Sequence, residues 1–266
     1  ARMASELEIM ASVHVKVDSG MHRVGVQPDN AVRVASLVAE SQWLTLDGMF
    51  THLATADVVD TQFAQQQVSV FTRAVEQVRA LEIEVRHVHI SNSASAIRRL
   101  DTGVGCTMTR VGIAMYGIPG DAATNSFGAV HQLDLRPVMS VHARVSHVQR
   151  VAAGQGVSYG LKRPLEREST IVTLPVGYAD GVPRGIWESG SVLVNGTRRA
   201  FAGVVTMDQI LVNCADDEVS IGDEAVLIGA QGTELITANE WANKMGTIGY
   251  EIVCAISARM PRNYIN

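Results

Sequence analysis

Residues 13–26 read VHVKVDSGMHRVGV. Val13, Val15 and Val17 alternate with His14, Lys16 and Asp18, a period of two that predicts a strand with one apolar and one polar side. Ser19-Gly20 ends it, and Arg23 follows just beyond the turn. Such a strand delivers Lys16 and Asp18 to one end, beside a glycine turn. A buried lysine needs a partner, so Lys16 suits a salt-bridged structural role as well as a functional one.

Working outward, short apolar strands alternate with helix-like segments from residue 13 to about 118, the grammar of βα units around a parallel sheet. The strands expected are 13–18, 43–52, 84–91 and 109–116. Pro28 is placed to open a helix whose apolar side is Val32, Val34, Leu37 and Val38. Phe63, Val68, Phe71, Val75, Val78 and Leu81 mark a second near helical spacing. After Gly117 comes the looser stretch IPGDAATNSFGAV, and beyond Arg136 strands are separated by turns instead. This sets a domain boundary near 130, giving a part of an α/β barrel over 1–130 and a β-rich domain over 131–266. In the second half the expected strands are 138–151, 170–176, 191–194, 198–205, 210–213 and 224–228. Asn195-Gly196 is a type I′ hairpin signal, and Thr237 with Glu240 forms a capping-box pattern.

At 266 residues and 47% hydrophobic content the chain can bury a large core. A formal charge of −5 without basic runs argues against nucleic acid and acidic membranes as partners. No apolar run is long enough to span a bilayer, and the first residues lack the pattern of a signal peptide, so a cytoplasmic protein is expected. Cys106, Cys214 and Cys254 lack metal-ligand spacing, which predicts buried free thiols and no metal site.

Eight segments carry the chemistry: KVDSGMHRVG (16–25), THLATAD (51–57), HISNSAS (89–95), TRVGIAMYG (109–117), GVSYG (156–160), VGYADGVPR (176–184), VVTMDQ (204–209) and GYEIVCAISARMPR (249–262). In kind and order they resemble the motifs of bacterial alanine racemase, over nearly the whole chain from residue 13. The resemblance implies a pyridoxal 5′-phosphate (PLP) enzyme with an N-terminal eight-stranded α/β barrel and a β-rich C-terminal domain. One departure matters. The family carries its Schiff-base lysine in a motif like VKANAYGHG, and the three lysines here, Lys16, Lys162 and Lys244, lie in other segments. The expectation is a C-terminal part of a longer racemase, without the first barrel strands, that does not racemise alone.

Carried over residue by residue, the resemblance assigns cofactor contacts to His89, Asn92, Ser93, Arg110, Gly112, Ile113 and Tyr250. Ser93 would give its hydroxyl to phosphate beside the backbone N–H groups of Gly112 and Ile113, and Tyr250 would complete the cradle; SNSAS taken by itself reads as a helix cap. Arg110 would face the pyridine nitrogen. Arginine has no acceptor and stays charged, so it keeps that nitrogen unprotonated; its structural alternative is a barrel salt bridge. Racemisation needs a base on each face of the α-carbon. Tyr159 is the second base by resemblance, with His52, His89 and Arg110 as a relay, and it would reach the cofactor of a neighbouring subunit in a homodimer. A phenol ordinarily ionises near pH 10, so such a base needs surroundings that favour proton loss.

Arg23 and the N–H of Met207 would hold the substrate carboxylate, with Asp208 supporting the loop. Lys16, seven residues before Arg23, resembles the lysine that becomes carbamylated in the family. Asp57, Tyr178, Arg184 and Ile248 resemble residues of an entry corridor, and each suits an ordinary surface or interdomain contact equally. The activity implied is interconversion of L- and D-alanine for peptidoglycan. A serine or broad-specificity amino-acid racemase, a decarboxylase of the same broad fold and a non-catalytic PLP-binding subunit are the alternatives.

Overall fold

The computed structural model describes residues 1–119 and 133–265, so the boundary expected near 130 lies outside the described residues. Two compact units emerge, Ala1–Met115 in one and, in the other, Tyr116 and its successors together with the chain from Leu135.

The first unit opens with a short helix α1 (Arg2–Glu6), then β1 (Ala11–Lys16), α2 (Ala31–Ala39), β2 (Leu44–Phe50), α3 (Gln62–Arg79), β3 (His87–His89) and α4 (Ser93–Arg98). The three strands pair in parallel in the order β1-β2-β3. Helices returning the chain between parallel neighbours are the βα grammar read from the sequence. Pro28 opens a 3₁₀ turn that leads into α2, its missing N–H costing nothing at a helix start. The buried stripe of α2 is Ala31 and Ala35, while Leu37 of the expected apolar side is exposed. On α3 the stripe is Ala64, Gln67, Phe71, Ala74, Val75 and Val78, with Phe63 and Leu81 outside it. Small alanines let both helices approach the sheet, where Val15, Val17, Leu46, Met49, Val88 and Ile90 complete the core.

Two expected strands differ. The run 84–91 contributes only His87–His89 to the ladder. Residues 109–116 form no strand: the N–H groups of Gly112 and Ala114 turn to the hydroxyl of Ser93, and Ile113–Tyr116 closes into a 3₁₀ turn.

The second unit is β-rich. β4 (Val141–Arg144) and β5 (His147–Val151) come from the single expected run 138–151, because the chain changes sheets there. The Val145 N–H donates to Asp223 O and that of Ser146 to Thr173 O. β5 pairs with β6 (Ser169–Leu174), which pairs with β9 (Ile210–Asn213); β7 (Ser191–Val194) and β8 (Thr197–Ala200) form a hairpin. The hairpin turns at Asn195-Gly196, with φ of 49° and 74° as a type I′ turn requires. β10 (Glu224–Gln231) joins β4, β7 and β11 (Glu234–Ile236), the last a strand absent from the sequence reading. The run 198–205 leaves its ladder at Ala200, since Phe201 bridges to Val212 of β9. Helices α5 (Ala238–Met245) and α6 (Gly249–Ala255) end the unit. Thr237 caps α5 by accepting the Glu240 N–H, but Glu240's carboxylate binds Arg198 instead of closing the capping box. Among the described residues no helix is long and apolar enough to cross a membrane. Cys214 is buried, Cys106 partly so, and Cys254 is exposed on α6, against the expectation of three buried thiols.

Candidate active site

In a parallel α/β sheet the side chains at the C-terminal strand ends face the site, and the first unit gathers its functional groups there. Beyond β1 the chain doubles back: Asp18 N–H donates to Val26 O and Val26 N–H to Lys16 O, both within 2.9 Å. Gly25, at φ 134°, permits this, since a Cβ there would lie 2.9 Å from Asp18 N. The carboxylate of Asp18 accepts the N–H of Gly20 (3.1 Å) and of His22 (2.9 Å) and faces the His22 ring at 3.1 Å. These donors hold Asp18 below the usual carboxylate range, the His22 amide first. Asp18 thus fixes the loop that carries Arg23. Lys16, at the end of β1, sits 5.9 Å from the centre of the Phe50 ring. Burial, then the charge of Arg23, lowers its pKa.

Arg110 is the hub. Its Nη1 lies 2.6 Å from His89 Nδ1; its Nη2 donates to Thr51 O (2.9 Å) and Ile90 O (3.2 Å) and lies 3.3 Å from His52 Nδ1. A guanidinium only donates, so both imidazoles present bare Nδ1 atoms to it. Burial, followed by the Arg110 charge, lowers His52 and His89 to about 4, which keeps both rings neutral. Asn92 Nδ2 stands 3.5 Å from His52 Nε2, while its Oδ1 caps α4 by accepting the Ser95 N–H. The cap is therefore Asn92. Ser93 is buried, and its Oγ accepts the N–H of Gly112 at 2.9 Å and of Ala114 at 3.3 Å. The Gly112 N–H expected to point at a ligand is bound to Ser93 instead.

Two supports escaped the sequence reading. Gln67, fully buried on α3, accepts the Ala54 N–H and donates to His52 O and Ser19 Oγ, tying together the loops after β1 and β2. Thr51 Oγ1 donates to Val17 O and bonds Ser19 Oγ. A glutamine on the apolar stripe of α3 was the one visible signal.

In the second unit, Tyr159 stands exposed on a tight loop. Ser158, Gly160 and Leu161 all have positive φ, and Ser158 Oγ donates to Val204 O at 2.7 Å. The loop is tightly turned and tied to Val204, while its tyrosine is exposed. Met207 and Asp208 sit in a turn closed by Thr206 N–H to Gln209 O, and the N–H groups of Tyr178 and Ala179 donate to Thr206 O and Met207 O. Arg259 locks the same place: its Nη1 bonds Asp208 at 2.8 Å and its Nε pairs with the buried Asp180 at 3.2 Å. Asp180 also accepts the Gly177 N–H at 2.9 Å. Tyr178 and Arg184 line one cleft of about 560 Å³ together with Thr247 and Ile252, and Ile248 adjoins Thr247. Tyr250 lies on α6, and Asp57 follows β2 in the first unit.

The chain is 40% identical over 266 residues to an alanine racemase of Halothermothrix orenii, spanning 100% of this chain and 68% of that one. The chain belongs to the alanine racemase family. The family description "Alanine racemase, N-terminal domain" matches residues 1–119 and "Alanine racemase, C-terminal domain" residues 138–264. The alanine racemase of Desulfovibrio desulfuricans is 41% identical over 264 residues, with 98% of this chain and 68% of that one covered. Among solved structures, the racemase from D-cycloserine producing Streptomyces lavendulae superposes with a TM-score of 0.92 at 33% identity, over 100% of this chain and 69% of that one. The Bacillus anthracis racemase with bound L-Ala-P gives 0.87 at 35%, over 97% and 65%. The chain therefore spans about two thirds of the length of these racemases. The expected fold, a part of an α/β barrel followed by a β-rich domain, is the fold of this family.

Proposed function

We propose that this chain carries the cofactor- and substrate-binding residues of a PLP-dependent alanine racemase, a homodimer that interconverts L- and D-alanine by two bases and supplies D-alanine for peptidoglycan. The observation that carries this reading is Arg110, a half-buried cation whose fork is held by two neutral imidazoles and two backbone carbonyls.

The residues fit the cofactor. Ser93 Oγ uses its lone pairs on two amides and keeps its own proton for a phosphate oxygen. A Cβ at Gly112 would meet nothing nearer than that oxygen, 3.9 Å away, so the backbone stays open to approach. Ser93, Ile113 and Tyr250 would hold the phosphate, with the Gly112 amide acting through Ser93 Oγ, and Arg110 would face the ring nitrogen with His89 behind it. When bound, PLP supplies the electron sink that acidifies the substrate α-hydrogen. Arg110 can only donate, so it would keep the ring nitrogen unprotonated, which would limit the sink and restrain side reactions.

Tyr159 would move the proton on one face of the α-carbon, across the dimer, with His52, His89 and Arg110 as its relay. The base of the other face is the Schiff-base lysine, which none of Lys16, Lys162 or Lys244 matches. Arg23 and the Met207 N–H hold the substrate carboxylate; Asp208 supports the latter through Arg259. Lys16 becomes a carbamate beside Arg23: its amine nitrogen bonds the carbon of CO2 and releases a proton, and the lowered pKa makes the uncharged amine more available. Asp57, Tyr178, Arg184 and Ile248 narrow the entry. Three free thiols suit a reducing cytoplasm.

The test is reconstitution of this chain with a racemase segment bearing the Schiff-base lysine. Formation of D-alanine from L-alanine, together with the visible absorbance of lysine-bound PLP, supports the reading. Absorbance without racemisation would leave a PLP-binding protein.

A further inference from the structure

Hydrogen bonding runs in one direction away from Arg110. Because Arg110 occupies His89 Nδ1 as a donor, neutral His89 carries its proton on Nε2, which lies 2.8 Å from His14 Nδ1. His14 must then accept there and carry its own proton on Nε2, which faces Asp47 Oδ2 at 3.7 Å. Asp47 is in turn paired with Arg86 at 3.4 Å. The order Arg110, His89, His14, Asp47 has one consistent set of tautomers, and a carboxylate terminates it.

The sheet is built around this file of side chains. Val13 pairs with Leu46 and His14 with Gly48, so the register slips by one residue and Asp47 is the extra residue on β2. A bulge re-aims the side chains beside it. A Cβ on Gly48 would lie 2.9 Å from the His14 ring, so the side chain missing at 48 is the space the imidazole uses. Phe50 stacks on His89 at 4.8 Å with the rings 6° from parallel, and the Arg110 guanidinium lies 5.3 Å from the centre of the Phe50 ring. His87 stacks on the other imidazole, 5.9 Å from His14.

We infer that His14 and Asp47 are positioning residues: by accepting from Nε2 of His89, in the tautomer that Arg110 sets, His14 holds that ring in place, and through it the direction in which the Arg110 guanidinium points. Its catalytic meaning rests on the role proposed above for Arg110, whereas the imidazole geometry does not.

Long-range ¹H–¹⁵N spectra of the histidine-labelled chain decide it. The expected result is a bare Nδ1 and a protonated Nε2 on both His14 and His89; a protonated Nδ1 on either ring would overturn the inference. His14→Leu is expected to speed rotation of the Arg110 guanidinium about tenfold, the factor carried by one hydrogen bond of ordinary strength, so that its Nη resonances merge. His14→Asn, whose Oδ1 can take the place of Nδ1, is expected to keep them separate. A loss of stability alone moves neither signal, and Arg110 resonances unchanged in His14→Leu sink the idea. Should the leucine variant not fold, the tautomers of the unmodified chain still decide. Correct tautomers without racemisation after reconstitution refute only the racemase reading, and racemisation with a protonated His14 Nδ1 refutes only this one.

Discussion

Nη1 of Arg110 and Nδ1 of His89 are 2.6 Å apart, in a site from which the histidine is almost entirely withdrawn from solvent. A cation that cannot accept, placed against a ring that can do either, settles the protonation of the ring. The consequence is measurable without any cofactor.

Replacing Arg110 by methionine removes the charge but keeps much of the volume. His89 and His52, now at about 4, are expected to rise toward the ordinary value of 6.5. The rise is incomplete because burial, the larger cause, stays. A ¹⁵N titration of the labelled chain reads this directly, and values unmoved by the substitution would deny Arg110 its electrostatic part.

The same two histidines make stability depend on pH. Their folded pKa lies below the unfolded one, so between 6.5 and about 4 the unfolded chain binds more protons. Their contribution is complete above pH 6.5 and is lost as pH falls toward 4. For the buried His89 the slope approaches about 1.4 kcal/mol per pH unit. Denaturant midpoints measured from pH 7 to 4 should fall accordingly, and less steeply in His52→Asn.

Much of this was legible in the chain because it rests on local patterns. The alternation around Lys16 placed His14, Lys16 and Asp18 on one side of a strand, and Asn195-Gly196 announced its hairpin. What stayed hidden depends on partners distant in sequence. Residues 109–116 are apolar enough for a strand, yet Ser93 takes two of their amides. The partnership of His14 with Asp47 needs a bulge that no propensity reports, and Arg259 reaches Asp180 and Asp208 from far along the chain. Cys254 is exposed because α6 turns that face outward, which the spacing of the cysteines does not report.

Ser93→Ala removes the acceptor shared by Gly112 and Ala114. A stability loss of about 1 kcal/mol is expected, seen as a lower thermal midpoint. Affinity for PLP should fall by about tenfold or more, since a charge-assisted bond to phosphate is lost as well. Fluorescence titration with PLP separates the two, and a variant that loses stability yet binds PLP as before would remove Ser93 from the phosphate site.

Lys16, whose pKa burial and the charge of Arg23 lower, offers a chemical signature. In ¹³C-bicarbonate the chain is expected to show a carbamate carbon that Lys16→Met abolishes and that weakens as the solution is acidified, because protonation of the amine reverses the addition. A spectrum lacking that carbon at mildly alkaline pH would leave Lys16 a plain cation beside Arg23.

The clamp of Arg259 across Asp180 and Asp208 predicts an effect on motion. Arg259→Leu leaves Asp180 with the Gly177 N–H as partner but frees Asp208, so the turn at Met207 loses its outer tie. Hydrogen exchange in 206–209 should quicken while exchange in β6 and β9 stays as it was. In the reconstituted enzyme the same variant should raise KM more than it lowers kcat, because a loosened Met207 N–H binds the ground-state carboxylate less well. Slow exchange at 206–209 in Arg259→Leu would mean that the 177–180 turn holds this loop unaided, through the Tyr178 and Ala179 amides.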